Sequence, residues 1–125
     1  MPVIRRSNST TTEDRGNRYT PVAGQHSGAM ELIVVRTEKE PGAFTVAHSH
    51  DHEEIVVVLS GRASFNIGPE FEEVGPGDTL IIPPGALHQG EVIGDEPLEA
   101  LLVKPAGIRF FDEEGAEYTP SWWKA

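Results

Sequence analysis

The seven residues from His48 to Glu54, HSHDHEE, hold three of the chain's five histidines and three of its acids. On a strand, side chains two apart share a face, so Phe44, Val46, His48 and His50 point the same way. With Phe44 and Val46 turned inward, the two imidazoles stand side by side in the interior, near the end of their strand. A short turn through Asp51, His52 and Glu53 leads to Glu54, whose parity partners Val56 and Val58 also read as inward. That turn sets a carboxylate opposite the histidine pair. Two imidazoles and a carboxylate are costly to bury unless they bind something, and a divalent cation satisfies all three. Taken alone, the same seven residues also fit a solvated loop.

The elements that would position this cluster are short. From Glu31 onward, eight apolar or alternating runs are separated by turn signals: ELIVVRT, AFTVAHSH, EIVVVLS, RASFNI, FEEV, TLII, HQGEVI and LEALLVK. The breaks at Gly61, GPE (68–70), GPGD (75–78), PPG (83–85) and GD (94–95) supply fixed or positive φ angles. With 13 glycines, 10 prolines and no convincing amphipathic helical stretch, the pattern predicts an all-β antiparallel sandwich or barrel. No internal repeat is visible, so one such unit is expected. Residues 1–29 are polar and read as an N-terminal arm, 30–111 as the barrel and 112–125 as a C-terminal tail. Trp122 and Trp123 in that tail are expected to pack on the barrel.

Composition narrows the partners. A chain of 125 residues is one typical domain. Its formal charge of −10 repels phosphate backbones and anionic headgroups, so neither nucleic acid nor a membrane surface is expected as a partner. Without cysteine, any metal must be held by nitrogen and oxygen. The opening residues have no apolar signal region and no run is long enough to span a bilayer, so a cytoplasmic protein is the expectation.

The wider spacing is more specific. Gly42, His48, His50, Glu54 and Gly61 follow G-x5-H-x-H-x3-E-x6-G, and Gly77, Pro83, Gly85 and His88 follow G-x5-P-x-G-x2-H. Both patterns resemble the two sequence motifs of the cupin family, separated here by the 15 residues from Arg62 to Pro76. The resemblance covers about half the chain directly. It implies an antiparallel double-stranded β-helix, or jelly-roll barrel, and one divalent metal ion per chain held by His48, His50, Glu54 and His88. The second motif usually closes with asparagine four residues after its histidine, where this chain has Val92. That asparagine is not a ligand in the family, so the implied metal set is unaffected. Iron, manganese, nickel, copper and zinc all suit three imidazoles and a carboxylate.

The expected activity is that of a metal-dependent oxidoreductase of the dioxygenase type acting on a small, partly apolar substrate, with Glu54 also serving as general base. The competitors are a non-redox metal-dependent isomerase or lyase and a non-enzymatic module that binds a small ligand. Phe44, Val46, Val56, Val58, Phe65, Ile67, Leu80 and Ile82 read as inward and apolar, and no charged side chain is placed in the pocket. That disfavours a phosphorylated sugar, although Arg36, Arg62 or Arg109 would supply a clamp if the parity were off by one. His52 and Glu53 read as exposed turn residues, with the pocket mouth as their functional alternative, and His26 has no assigned role. The run IVVVL at 55–59 is apolar on both faces, so its outer face needs cover; cupins usually dimerise sheet to sheet, and a homodimer is expected.

Overall fold

Strict alternation makes Leu32–Lys39 and Leu98–Pro105 strands with one dry face each, and these two strands pair antiparallel along their whole length at the centre of the fold. The computed structural model describes residues 3–5 and 9–123. Its strands are β1 (Thr12–Asp14), β2 (Asn17–Ala23), β3 (Leu32–Lys39), β4 (Ser49–His50), β5 (Glu54–Ser60) and β6 (Arg62–Ile67), followed by β7 (Glu70–Val74), β8 (Thr79–Ile82), β9 (His88–Ile93), β10 (Leu98–Pro105), β11 (Phe110–Phe111) and β12 (Glu117–Tyr118). All eight expected runs contain a strand. The only helical element among the described residues is the single 3-10 turn Gln25–Ser27.

One sheet runs β1-β2-β3-β10-β5-β8. The other layer consists of β12-β11-β4 and β7-β6-β9, joined where Phe44 bridges Glu91 and His48 bridges His88. Every named pairing is antiparallel, and the two layers close into a jelly roll. The inward face of the six-stranded sheet carries Ile33, Val35, Val56, Val58, Ala100 and Leu102, all buried. Gly61 makes the tight link from β5 to β6 at φ +80°, and a Cβ there would lie 2.3 Å from the Pro97 carbonyl oxygen, so no other residue fits.

Described residues on both sides of 30–111 belong to this architecture. Within the segment read as an arm, residues 12–23 form two strands of the larger sheet, and Tyr19 is buried in the core. Residues 1–2 and 6–8 of that segment lie outside the described residues, as do 124–125 of the tail. In the tail, β12 pairs with β11, and Trp122 stacks flat on Tyr19 with ring centroids 3.9 Å apart. The two tryptophans do pack on the barrel.

Candidate metal centre

Each histidine is aimed by its backbone. His48 and His88 face one another across the layer, their main chains exchanging hydrogen bonds of 3.0 and 2.8 Å. His50 lies on β4, whose carbonyl accepts a 2.8 Å hydrogen bond from the Gly85 N–H of the Pro83-Pro84-Gly85 turn. The turn that ends β8 therefore docks on the strand carrying His50 while it launches β9 and His88. Glu54 opens β5 from the opposite sheet, with Val56 and Val58 following on its inward face. One ligand atom from each of His48, His50, Glu54 and His88 lies within 4.8 Å of the others. His50, Glu54 and His88 are buried, and His48 is half-buried.

Hydrogen bonds fix the tautomers. Nδ1 of His48 lies 2.8 Å from the Val46 carbonyl oxygen, that of His50 3.2 Å from Arg109 O, and that of His88 3.0 Å from Ala86 O. A carbonyl only accepts, so each Nδ1 carries the proton and each Nε2 keeps its lone pair. The Nε2 atoms of His50 and His88 stand 3.2 and 3.5 Å from Glu54 Oε1. Their angles do not make hydrogen bonds, and both nitrogens are buried with no partner. Two orphaned lone pairs beside a buried carboxylate are costly in a dry interior, and a cation relieves both at once. The donor set fits a divalent metal.

Electrostatics keep His48 and Glu54 in forms that can bind a cation. Burial, reinforced by the neighbouring His88, pushes His48 down to about 3, so it is neutral at physiological pH. Burial alone would raise the Glu54 carboxyl, but the Lys104 ammonium beside it holds it well below the usual carboxylate range. Lys104 Nζ lies 3.4 Å from Glu54 Oε2. The same ammonium sits about 5 Å from the ring centres of Phe110, Trp122 and Trp123, a desolvated cation boxed by aromatic faces.

Two cavities meet at the site. An interior space of about 50 Å³ is lined by His48, Glu54, His88, Thr37, Lys39 and Lys104, among others. An outer vestibule of about 260 Å³ includes Phe44, Val46, Phe110 and Tyr118 in its walls. Tyr19, Thr45, His48 and Trp122 line both, so the vestibule opens onto the ligand cluster.

Three expectations need correction. Phe44 and Val46 do not face the core: each is about half exposed and lines the vestibule. Residues 41–48 form no continuous strand, only single bridges at Phe44 and His48, so the pleat that would carry parity back from His48 is interrupted. The interior is not free of charge, because Lys39 and Lys104 both line it. Each lies one step along the dry face of a strand whose preceding inward residues are Ile33, Val35 and Thr37 or Leu98, Ala100 and Leu102. Extending the alternation to the strand ends would have found them. Nor are the arginines clamps: Arg36 pairs with Glu99, Arg62 with Glu73, and Arg109 with Asp51 and Glu117 at the surface.

Asp51 of the opening cluster has a structural part. Asp51 accepts from the Arg109 main-chain N–H at 2.8 Å and from its Nε at 3.0 Å, tying the turn after β4 to β11. His52 is exposed and contacts the Asp51 carboxylate, and His26 lies exposed in the 3-10 turn. Of the other residues read as inward, Val56, Val58, Leu80 and Ile82 are buried, and Phe65 and Ile67 pack partly buried against the core.

Comparison with known proteins agrees with this geometry. The family profile described as Cupin domain matches residues 35–104, which is 70 of the 125 residues. An uncharacterized protein of Methanocaldococcus jannaschii is 43% identical over 61 residues, a match that spans 48% of this chain and about half of that protein. Auxin-binding protein T85 of Nicotiana tabacum is 27% identical over 98% of this chain and 79% of its own length. Among solved structures, the polyketide cyclase RemF of Streptomyces resistomycificus superposes with a TM-score of 0.70 at 22% identity, covering 98% of this chain and 89% of that one. An RmlC-like cupin of Shewanella frigidimarina gives 0.73 at 16% identity over 84% and 90% of the two chains. Oxalate decarboxylase of Bacillus subtilis gives 0.74 at 24% identity, with 90% of this chain laid on 30% of that one. The profile match, both motifs in place and the jelly roll around them lead to one conclusion: the chain belongs to the cupin family.

Proposed function

We propose that His48, His50, Glu54 and His88 hold one divalent metal ion, and that the chain is a metal-dependent oxidoreductase of the dioxygenase type acting on a small, partly apolar substrate. The observation that carries the metal assignment is the pair of buried, partnerless Nε2 atoms of His50 and His88 beside Glu54. When bound, such an ion supplies positive charge and open coordination positions for small oxygen-bearing molecules. The chain's own groups do the rest. Lys104 keeps Glu54 ionised, and loosening of that ion pair would return to its carboxylate the basicity needed to accept a proton from a substrate hydroxyl. Phe110, Tyr19 and Trp122 wall the approach with rings that exclude water, and the vestibule has room for a ligand of modest size.

A second reading has its own support. Two buried ammonium groups beside the ligand cluster are proton donors of the kind that a non-redox isomerase or lyase uses. Oxygen dependence separates the two. Iron-, manganese- and zinc-loaded protein would be screened against small carboxylates, diketones and catechols in air and under anaerobic conditions. The oxygenase reading expects turnover with iron or manganese that stops without oxygen. Turnover that persists equally in its absence would replace that reading with the isomerase or lyase, and tight binding without turnover would indicate a ligand-binding module.

We also infer a homodimer. The register places Val34, Val103, Ile55 and Ile81 in one row across the outer face of β3, β10, β5 and β8. Ile81 is 62% exposed, and Leu32 beside the row is 58% exposed. A second copy of the same face is a self-complementary cover for such a row.

A further inference from the structure

Strand β3 presents two polar groups to the interior with bonding capacity unspent. Lys39 Nζ donates to Asn17 Oδ1 at 2.9 Å and to the Tyr19 hydroxyl at 3.2 Å. An ammonium has three N–H donors, so one remains. Both partners are neutral, and no ion pair among the described residues includes Lys39. Yet Lys39 is only 8% exposed. Two residues earlier on the same face, Thr37 is fully buried and its Oγ1 has no hydrogen-bond partner. Both side chains line the small cavity that also touches His48, Glu54 and His88.

The charge of this cavity differs in sign from that of the chain. Lys39 and Lys104 against Glu54 give the interior two positive groups and one negative, in a molecule whose formal charge is −10. Lys104 is matched by Glu54. Lys39 has no such match. Burial, helped by repulsion from Lys104, pulls its ammonium down from the usual lysine value to about 8, the mark of a desolvated cation without its anion.

We propose that Lys39 and Thr37 form the recognition point for a carboxylate on the substrate, one oxygen accepting the free N–H of Lys39 and the other the hydroxyl proton of Thr37. The inference rests on the reading of this cavity as the substrate side of the metal centre, and it narrows the substrate class to small carboxylic acids with an apolar remainder. That remainder lies toward the vestibule, along Tyr19, Trp122, Phe44 and Val46. A carboxylate there removes an orphaned hydroxyl and an unpaired buried charge together.

Metal-free protein, stripped with a chelator, would be titrated with phenylacetate and with its neutral counterpart phenylacetamide, and binding read by calorimetry. The acid should bind roughly ten- to a hundredfold more tightly than the amide, the range of a charged hydrogen bond. Lys39→Met should erase that preference. Thr37→Val should weaken the acid roughly tenfold while leaving the melting temperature unchanged or raised, because the hydroxyl it removes has no partner to lose. A purely structural Thr37 would not move the acid's affinity. Equal affinity for acid and amide, or acid binding unaltered by both substitutions, overturns the proposal. Acid binding that appears only after zinc is added and persists in Lys39→Met puts the carboxylate on the metal and also overturns it, leaving the metal reading intact. Zinc titrated alone tests that reading separately: no zinc binding with the acid preference retained would contradict the metal assignment and support the carboxylate site.

Discussion

His48, His50 and His88 each give their Nδ1 proton to a main-chain carbonyl, so folding itself selects the tautomer that leaves Nε2 free. Glu54 is likewise kept charged by Lys104 rather than by solvent. Lys39 is the group at this scale with the clearest pH signature. Its folded-state value of about 8 lies below the ordinary 10.5, so the unfolded chain holds this proton more tightly. The cost to stability is fully present below pH 8, at about 3 kcal/mol, and is relieved as pH rises from 8 toward 10.5. Tyr19 faces the same ammonium and has its own value raised by burial, so its contribution is lost only above pH 10, outside the useful window. Glu54, Asp14 and Lys104 are the other charges felt there. The melting temperature of the unaltered chain should therefore gain on that of Lys39→Met between pH 7 and 9.5. A difference independent of pH over that range would show that Lys39 is not desolvated in solution.

Among the elements, the β5–β6 link is the most tightly constrained. Gly61 combines a φ of +80° with backbone atoms closer than any Cβ tolerates, whereas Gly85 has a φ of +79° and open space. Gly61→Ala should cost about 3 kcal/mol or more in urea denaturation and Gly85→Ala about 1 kcal/mol, the difference being the clash with Pro97 and Leu98. Equal losses would mean that the link is looser than described. The same elements show what a sequence exposes. Eight strands were legible because their alternation and turn residues are local, and the convergence of four candidate ligands because motif offsets survive folding. Two kinds of feature were not. The pleat breaks between Gly42 and His48, so Phe44 and Val46 point away from the face that parity assigned them. The polar composition of residues 12–23 hides the fact that Tyr19 and Asn17 belong to the inner face of the sheet, where they hold Lys39. Thr37 and Lys39 sit at the end of a run whose alternation says inward, but a lysine is read as solvent-facing until its strand partners are known.

For the whole molecule, the row Val34–Val103–Ile55–Ile81 and the candidate metal centre occupy opposite faces of the larger sheet, so the proposed assembly and the site can be perturbed independently. Light scattering at micromolar concentration should give twice the 13.6 kDa chain mass, and Ile81→Glu, at an exposed position, should return it to the monomer without altering metal binding. A monomeric unaltered chain would contradict the dimer. Because binding to the folded chain alone stabilises it, an ion at about a hundredfold excess over its dissociation constant adds about 2.7 kcal/mol, roughly 10 °C in melting temperature for a domain of this size. The decisive measurement is a zinc titration of chelator-stripped protein, by calorimetry and thermal unfolding together, on the unaltered chain and on His50→Ala. One ion bound per chain with that upward shift, both lost in a His50→Ala protein that still folds, is the predicted result. No binding, or an ion bound equally well without His50, would contradict the centre built from His48, His50, Glu54 and His88.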